Sequence, residues 1–468
     1  MSKNLDLYKS RKALKVFLKA NRRRKKLKRQ YAGFLKHRKV IKLDQNFTRD
    51  YLKPKFKGNK CKLFKKRPEY NEVIQFLIPK YKKFSLKNLP VNEDGKLIVP
   101  KVFSISENTE ESMYFLKRLF HCLYLEKPKL IIIDYILCEY LDVDASACMD
   151  LILEGFIKYY NRCINKGHKV KIDRILPINF ANKPDISNVL FSIGAYRNVK
   201  NFEMIKSPDA NFIPFHLRIG DNQYDQKGVL KEIHETEIVD YVIDCLASSG
   251  HELTPIAEAN LSKVVGEVMA NAEEHSSFRY RYAIGYFVKP QKINNGLGVF
   301  KLSIFNFGQT IYESFKNDNS NSKIVRNMSE LSEKYTRKRL FTKAKYEEET
   351  LWTLYSLQEG VTSIKDWKRG KGTIRFIDRF FKLKGDDCSD NLSKLTLMSG
   401  NSKIVFDGTY PLKEIMKGSD SNPIQVMTFN DSGDIGELPN EKFVTFVPQT
   451  FPGTLITAKI CLTNKNII

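Results

Sequence analysis

The sequence predicts a multidomain chain of α/β and α+β class, and three observations predict it. Its 468 residues exceed one ordinary core and suggest about three domains at ~150 residues each. A dense run of basic residues at helical apolar spacing opens the chain. Strand-period and helix-period segments then alternate from Lys129 to Tyr196, and again from Glu252 to the last residues. The boundaries this implies are a basic helical arm at 1–70, a small βα module at 71–225, and an α/β domain at 226–468.

Composition excludes several classes. With 42% hydrophobic and 12% aromatic residues, the chain can bury real cores, so it is not wholly disordered. No stretch approaches the ~20 apolar residues of a membrane span, and the charged start from Lys3 does not read as a secretory signal. Eight cysteines, with no C-x-x-C pair, argue against a zinc ribbon or disulfide framework and for a reducing, cytoplasmic setting.

The net charge of +26 is concentrated. Residues 1–70 hold 26 Lys and Arg against four acids, a net of +22, while the other 398 residues hold 53 basic and 49 acidic side chains. Within the arm, Leu14, Phe17, Leu18, Leu27, Tyr31, Phe34 and Leu35 recur at helical spacings around Arg22 to Arg29, which predicts one or two basic amphipathic helices. Such a stripe suits nucleic acid or another polyanion through phosphate contacts. An anionic membrane, an acidic protein or plain solubility would use the same charge. Nothing in the arm reads base edges.

In the middle module, Leu130 to Leu137 is an apolar run bounded by Lys-Pro-Lys, as for a strand covered on both faces. A helix from Cys148 to Lys166 follows Asp142-Val-Asp-Ala-Ser-Ala, then a strand at Lys169-Val-Lys-Ile and a short helix from Ile186 to Ile193. The alternation reads as a small α/β domain. It resembles the STAS domain (the sulfate-transporter and anti-sigma-antagonist fold). In that family a loop serine after an aspartate is phosphorylated, and the nearest match is Asp144-Ala145-Ser146. The local reading of Ser146 is a residue capping a helix start.

The C-terminal half carries four short motifs. Leu261, Val264, Val265, Val268, Met269 and Ala272 form a helical stripe, with Glu267, Asn271 and Glu274/His275 on a second face. Leu302, Ile304 and Asn306 share one side of a strand just before Gly308. Gly370-Lys-Gly372-Thr373 is a glycine-rich turn entering a helix, where backbone N–H groups can meet phosphate oxygens. Gly453-Thr454 opens an alternating strand. No G-x-x-x-x-G-K-[ST] occurs anywhere, which excludes a P-loop ATPase.

In this order the motifs resemble the GHKL superfamily, the ATP-binding (Bergerat) fold of DNA gyrase, histidine kinases, MutL-type repair proteins and heat-shock chaperones. Its N-box E-x-x-x-N-A matches Glu267 to Ala272. Its first glycine box, D-x-G-x-G, is matched imperfectly by Asn306-Phe-Gly308-Gln-Thr310. Its second matches Gly370-Lys-Gly372-Thr373, and its final G-T matches Gly453-Thr454. The resemblance covers about residues 230–468 and implies a two-layer α/β sandwich with a mobile lid at about 312–369.

It also implies roles. Asn271 would ligate Mg²⁺ beside ATP phosphates, and Glu267 would polarise the attacking water. His275 would contact phosphate or support its helix. Gly370, Gly372 and Thr373 would cradle phosphates, Thr454 would bond near the adenine, and Asn306 would stand where the family's aspartate accepts the adenine amino group. An uncharged Asn306 and a Thr310 in place of glycine point toward slow turnover or a degenerate site. The expected function is a bacterial ATP-binding, ATP-hydrolysing switch that controls a protein partner, with a homodimer left open. The alternatives are an anti-sigma-type protein-serine kinase, or a non-catalytic adaptor with a decayed pocket. Signalling, nucleic-acid transactions and antiviral defence all use such architectures.

Overall fold

The computed structural model of the chain describes residues 96–123, 130–165, 174–193, 209–221, 229–248, 250–274, 280–289, 298–316, 322–336, 346–361, 372–384, 393–415 and 424–461. The arm at 1–70, and with it the predicted polyanion contacts, lies outside the described residues.

The first described elements are β1 (Lys96–Ile98), β2 (Val102–Phe103), α1 (Thr109–His121), β3 (Leu130–Asp134), β4 (Tyr140–Leu141), α2 (Val143–Asn165), β5 (Arg174–Ile178) and α3 (Pro184–Ile193). Strands β1, β3 and β5 pair in that order as a parallel sheet. Leu97, Ile131, Ile133 and Ile175 bury one side of it in a core shared with Leu116 of α1 and Ile152 of α2. The predicted strand through Leu137 stops three residues early. The Asp134 carboxylate accepts the Ile136 N–H at 2.9 Å, a local bond that competes with the ladder. Lys183 Nζ then donates to the carbonyls of Tyr135, Ile136 and Cys138 at 2.7 to 2.8 Å. The strand expected at 169–172 lies outside the described residues, and β5 begins at Arg174.

Helix α2 begins five residues before the predicted Cys148: Asp142 Oδ1 accepts the Val143 N–H at 2.8 Å, and the Ser146 N–H already donates to the Asp142 carbonyl at 3.1 Å. Ser146 therefore lies inside the helix. It is 0% exposed, so phosphorylation at the position suggested by the STAS resemblance has no room in this packing.

The second group comprises β6 (Phe212–Asp221), α4 (Val229–Ala247), α5 (Pro255–Glu274), β7 (Tyr280–Val288), β8 (Val299–Phe307), α6 (Ile311–Phe315), α7 (Ser322–Thr336), α8 (Glu348–Ser356), α9 (Gly372–Lys384), β9 (Lys394–Phe406), β10 (Lys413–Ile415), β11 (Ile424–Val426) and β12 (Val444–Cys461). Five strands form an antiparallel sheet in the order β6-β7-β8-β12-β9. Strand β6, which precedes the boundary read at 225, pairs with β7 along Phe212 to Asp221. Pro214 sits in β6, which an edge strand tolerates and a central one does not.

Alternation gives this sheet two apolar faces. Phe300, Leu302, Ile304, Ile456 and Leu397 meet Val242 of α4, Val264 and Val268 of α5, and Phe376 and Phe380 of α9. Tyr282, Tyr286, Phe305, Phe307 and Leu455 meet the core of the first module. The C-terminal half is therefore not a free-standing two-layer sandwich. Its sheet lies between its own helices and those of the middle module, and α1 reinforces the contact through Lys117 Nζ to Gln449 Oε1 at 2.6 Å and Glu107 to Lys394 at 2.5 Å.

The segment predicted as a lid holds α6, α7 and α8, and α8 is core. Leu351, Trp352 and Leu354 are 0–1% exposed. Thr353 Oγ1 bonds Ser402 Oγ at 3.2 Å, and Glu349 Oε1 accepts the Asn401 N–H at 2.8 Å. A helix carrying a fully buried tryptophan does not swing freely, because exposing that ring costs several kcal/mol. Among the described residues, no helix is long and apolar enough to cross a membrane.

Candidate functional site

At one end of the large sheet the helix-facing side turns polar. Asn306 and Thr454 are register partners on β8 and β12, and the Thr454 N–H donates to Asn306 Oδ1 at 3.0 Å. Ser399 on β9 pairs with Thr454. Its hydroxyl shares a 3.0 Å bond with Thr454 Oγ1 and accepts the Ile311 N–H at 2.9 Å. Gly308 N–H donates to the Pro452 carbonyl at 3.1 Å. The first glycine box and the final Gly-Thr are thus joined by direct bonds.

Glycine is required at one of these positions. Gly453 has φ +153, and a Cβ there would sit 2.2 Å from the Asn306 carbonyl oxygen, closer than any real contact. The strands can approach because this residue has no side chain. Thr310, by contrast, explains itself. It has extended φ and ψ and caps α6, accepting the Glu313 N–H at 3.1 Å while the Glu313 carboxylate accepts the Thr310 N–H at 2.8 Å. This is a capping box, so the second glycine of the family's motif is not needed for backbone freedom here.

The cluster is closed. Asn306 is 0% exposed and Thr454 and Thr310 are each 3% exposed, and the Asn306 acceptor oxygen is already engaged. An adenine amino group could reach it only after β8, β12 and α6 part locally. As described, the residues do not fit an adenine.

The other predicted residues are placed as follows. Asn271 is in the last turn of α5, and Gly372 and Thr373 open α9. Helix α5 ends at Glu274, and β7 starts at Tyr280, next to Arg281, which pairs with Asn306. Six Cα steps span at most ~20 Å, so the end of α5 lies toward the Asn306 end of the sheet. Gly370 and His275 lie outside the described residues. Glu267 instead lines a cleft of about 540 Å³ with Lys263, Glu359, Phe376, Asp378, Arg379, Lys382, Glu414 and Gln425. None of Asn306, Gly308, Gly453 or Thr454 borders that cleft. Asp378 binds Lys382 at 2.6 Å, Arg379 reaches Asn260 Oδ1 at 3.2 Å, and Glu359 accepts the Gln425 N–H at 2.9 Å. Among the described residues, no group of three or more His, Cys, Asp or Glu side chains could hold a metal ion. A magnesium ion would depend on Asn271 and on oxygens that the nucleotide itself brings.

Sequence reasoning missed a buried charge cluster on the opposite face of β8. Lys301, 2% exposed, forms an ion pair with Asp142, 0% exposed, and donates to Tyr140 Oη at 2.8 Å. Ser104 Oγ also donates to Asp142 at 2.9 Å. Burial opposes the Lys301 charge, but Asp142, Tyr286, Tyr140 and Asp144 together outweigh it and hold the ammonium well above its ordinary pKa. Beside it, burial and the Asp142 charge push Asp144 up to about 6, against the Lys301 charge and bonds from Ser106. The available signal was Lys301 itself, a lone charge in the apolar strand Val299–Phe307, which must find a partner if buried.

This cluster carries a pH prediction. A carboxyl whose folded pKa is raised binds more protons folded than unfolded between about pH 4 and 6. Its contribution to stability is therefore present at low pH and lost as pH rises through that window. Melting temperature should show a downward component between pH 4 and 6. Asp144→Asn should remove that component while lowering stability throughout, since an amide N–H would face the Ser106 N–H now bound at 2.9 Å. An unchanged pH profile in the variant would refute the assignment.

Compared with known proteins, the chain matches no family model, no curated protein and no solved structure. What it is shown to be is a mixed α/β protein with a parallel βαβ sheet and a five-stranded antiparallel sheet.

Proposed function

We propose that the C-terminal half is a GHKL-type nucleotide-binding switch, with ATP and Mg²⁺ as ligands of a form in which β8, β12 and α6 have parted around Asn306. The observation that carries the reading is the register pairing of Asn306 with Thr454 at the sheet end toward which α5 runs. Two motifs 148 residues apart in sequence are bonded to each other, which supports the reading. Asn271 would meet the metal and phosphates, and the opening turn of α9 would meet phosphate. Glu267, one helical turn before Asn271, is the proposed general base. The middle module would carry the change in β8 and β12 to a partner, and the basic arm would hold a polyanion such as nucleic acid.

A second reading, the non-catalytic adaptor, is favoured by one observation. The Asn306 side chain is buried and its oxygen already satisfied. One titration separates the two. ATP with Mg²⁺ should raise the melting temperature of the full chain by linkage, Asn271→Ala should lose the metal-dependent part, and Glu267→Ala should bind but release no phosphate. No stabilisation at millimolar ATP·Mg²⁺ would favour the adaptor.

A further inference from the structure

Two lysines of β9 meet the first module where α1 begins. Gly400 takes a left-handed φ of +61 within β9, and the register with β12 shifts between Phe446 and Phe451. Beyond that point Ser402, Ile404 and Phe406 are buried while Asn401, Lys403 and Val405 are half-buried, so alternation turns Lys403 away from the helix-facing core. On its side of the strand Asn401 ties down the displaced stretch of β12. Its Nδ2 donates to the Val447 carbonyl at 2.7 Å, and its Oδ1 accepts the Thr450 hydroxyl at 2.8 Å. The charges acting on Lys403 are those of Glu107, Lys394 and Asp144, which sets its ammonium near the turn at 105–107. Both carboxylates there are already engaged. Glu107 pairs with Lys394 at 2.5 Å, and Asp144 accepts the N–H groups of Ile105 at 3.0 Å and Ser106 at 2.9 Å. Among the described residues Lys403 has no hydrogen bond or ion pair of its own, and a lysine is seldom covered without one.

We propose that Lys403, half-buried beside the Lys394–Glu107 pair, is a nucleophilic amine that takes a small neutral aldehyde as its substrate. Its nitrogen lone pair attacks the carbonyl carbon, the carbonyl oxygen takes up the proton that the nitrogen gives up, and loss of water leaves an imine. The surroundings favour the neutral amine that this step needs. Burial opposes the charge on Lys403, and the Lys394 ammonium adds to it; together they outweigh Glu107 and Asp144 and hold the amine below its ordinary pKa. Removal from water and a second cation nearby are the two means by which a lysine becomes nucleophilic near neutral pH. The two carboxylates disfavour an anionic ligand at the same place, which leaves an uncharged carbonyl compound as the better fit. The Lys394–Glu107 pair sets the reactivity, because it keeps Glu107 from neutralising Lys403.

The test treats full-length protein with pyridoxal near neutral pH, reduces the imine with borohydride and maps the modified lysines by peptide mass spectrometry. Lys403 should be labelled several-fold faster than Lys101, whose side chain is 67% exposed. Lys394→Met should slow labelling of Lys403 several-fold, since it removes the neighbouring ammonium and frees Glu107 to pair with Lys403, and it should leave the rate at Lys101 unchanged. Labelling of Lys403 no faster than that of Lys101 in the wild type would overturn the proposal and mark an ordinary lysine whose stem covers apolar surface. So would fast labelling that Lys394→Met leaves untouched, because the cluster would then not set the reactivity. The first comparison is made within the wild-type chain and does not depend on a variant folding.

Discussion

Lys301→Met should destabilise the chain by about 3–5 kcal/mol, the cost of leaving a buried charge unpaired. Asp142 has 0% exposure and would keep only neutral donors, Ser104 and Tyr140 among them. A fall on the order of 10 °C in melting temperature is expected for a unit of this size. Lys301→Met/Asp142→Asn should recover part of the loss, because no uncompensated charge then remains. Additive losses in the double variant would show that the pair does not act as a pair. Because Lys301 is on β8 and Asp142 opens α2, the same variant should also loosen the seam between the middle module and the large sheet. Hydrogen exchange along β8 reads this directly.

Gly453→Val should be comparably severe, for a different reason. A Cβ at that position meets the Asn306 carbonyl oxygen at 2.2 Å and the Phe307 Cα at 2.8 Å, and both are backbone atoms that cannot rotate away. The φ of +153 adds strain for any branched residue. A loss of about 3 kcal/mol or more is expected, together with loss of the Thr454 N–H to Asn306 bond and of any nucleotide binding that depends on it. Gly250→Ala is the control, since nothing lies within 4 Å of its Cβ position, and only its positive φ should cost about 1 kcal/mol. Equal melting temperatures for the two variants would refute the close-approach account.

The elements that the sequence announced are those whose burial is one-sided and periodic. The stripe from Leu261 to Ala272 gave α5, and the alternation around Leu302 to Asn306 gave β8. What stayed hidden depends on partners distant in the chain. Strand β6 contains Pro214, His216 and Arg218 and has no clean alternation, since an edge strand packs only in part. The first half of β12, from Val444, pairs with Ile404 on a late extension of β9 and carries no local sign of it. Helix α8 resembles a surface helix until Trp352 is seen to be buried. At the site, the pairing of Asn306 with Thr454 was legible through its motifs. The outward placement of Glu267 was not, because a helical residue's neighbour across a cleft is fixed by how α9 packs.

The place of β12 in the sheet has a consequence for how the molecule assembles. It lies between β8 and β9, yet it follows β8 by well over a hundred residues, with Thr454 opposite Asn306. Until it inserts, the sheet exists only as two separate pieces, each with an apolar strand edge unpaired. Closing so long a loop is an entropic cost that must be met before any β12 ladder bond forms. Folding should therefore be slow and led by the β6-β7-β8 hairpins, and the half-built sheet should be the species most prone to edge-to-edge aggregation. Expression at low temperature, or with a chaperone that shields strand edges, should raise the soluble yield more than any single stabilising substitution on the surface.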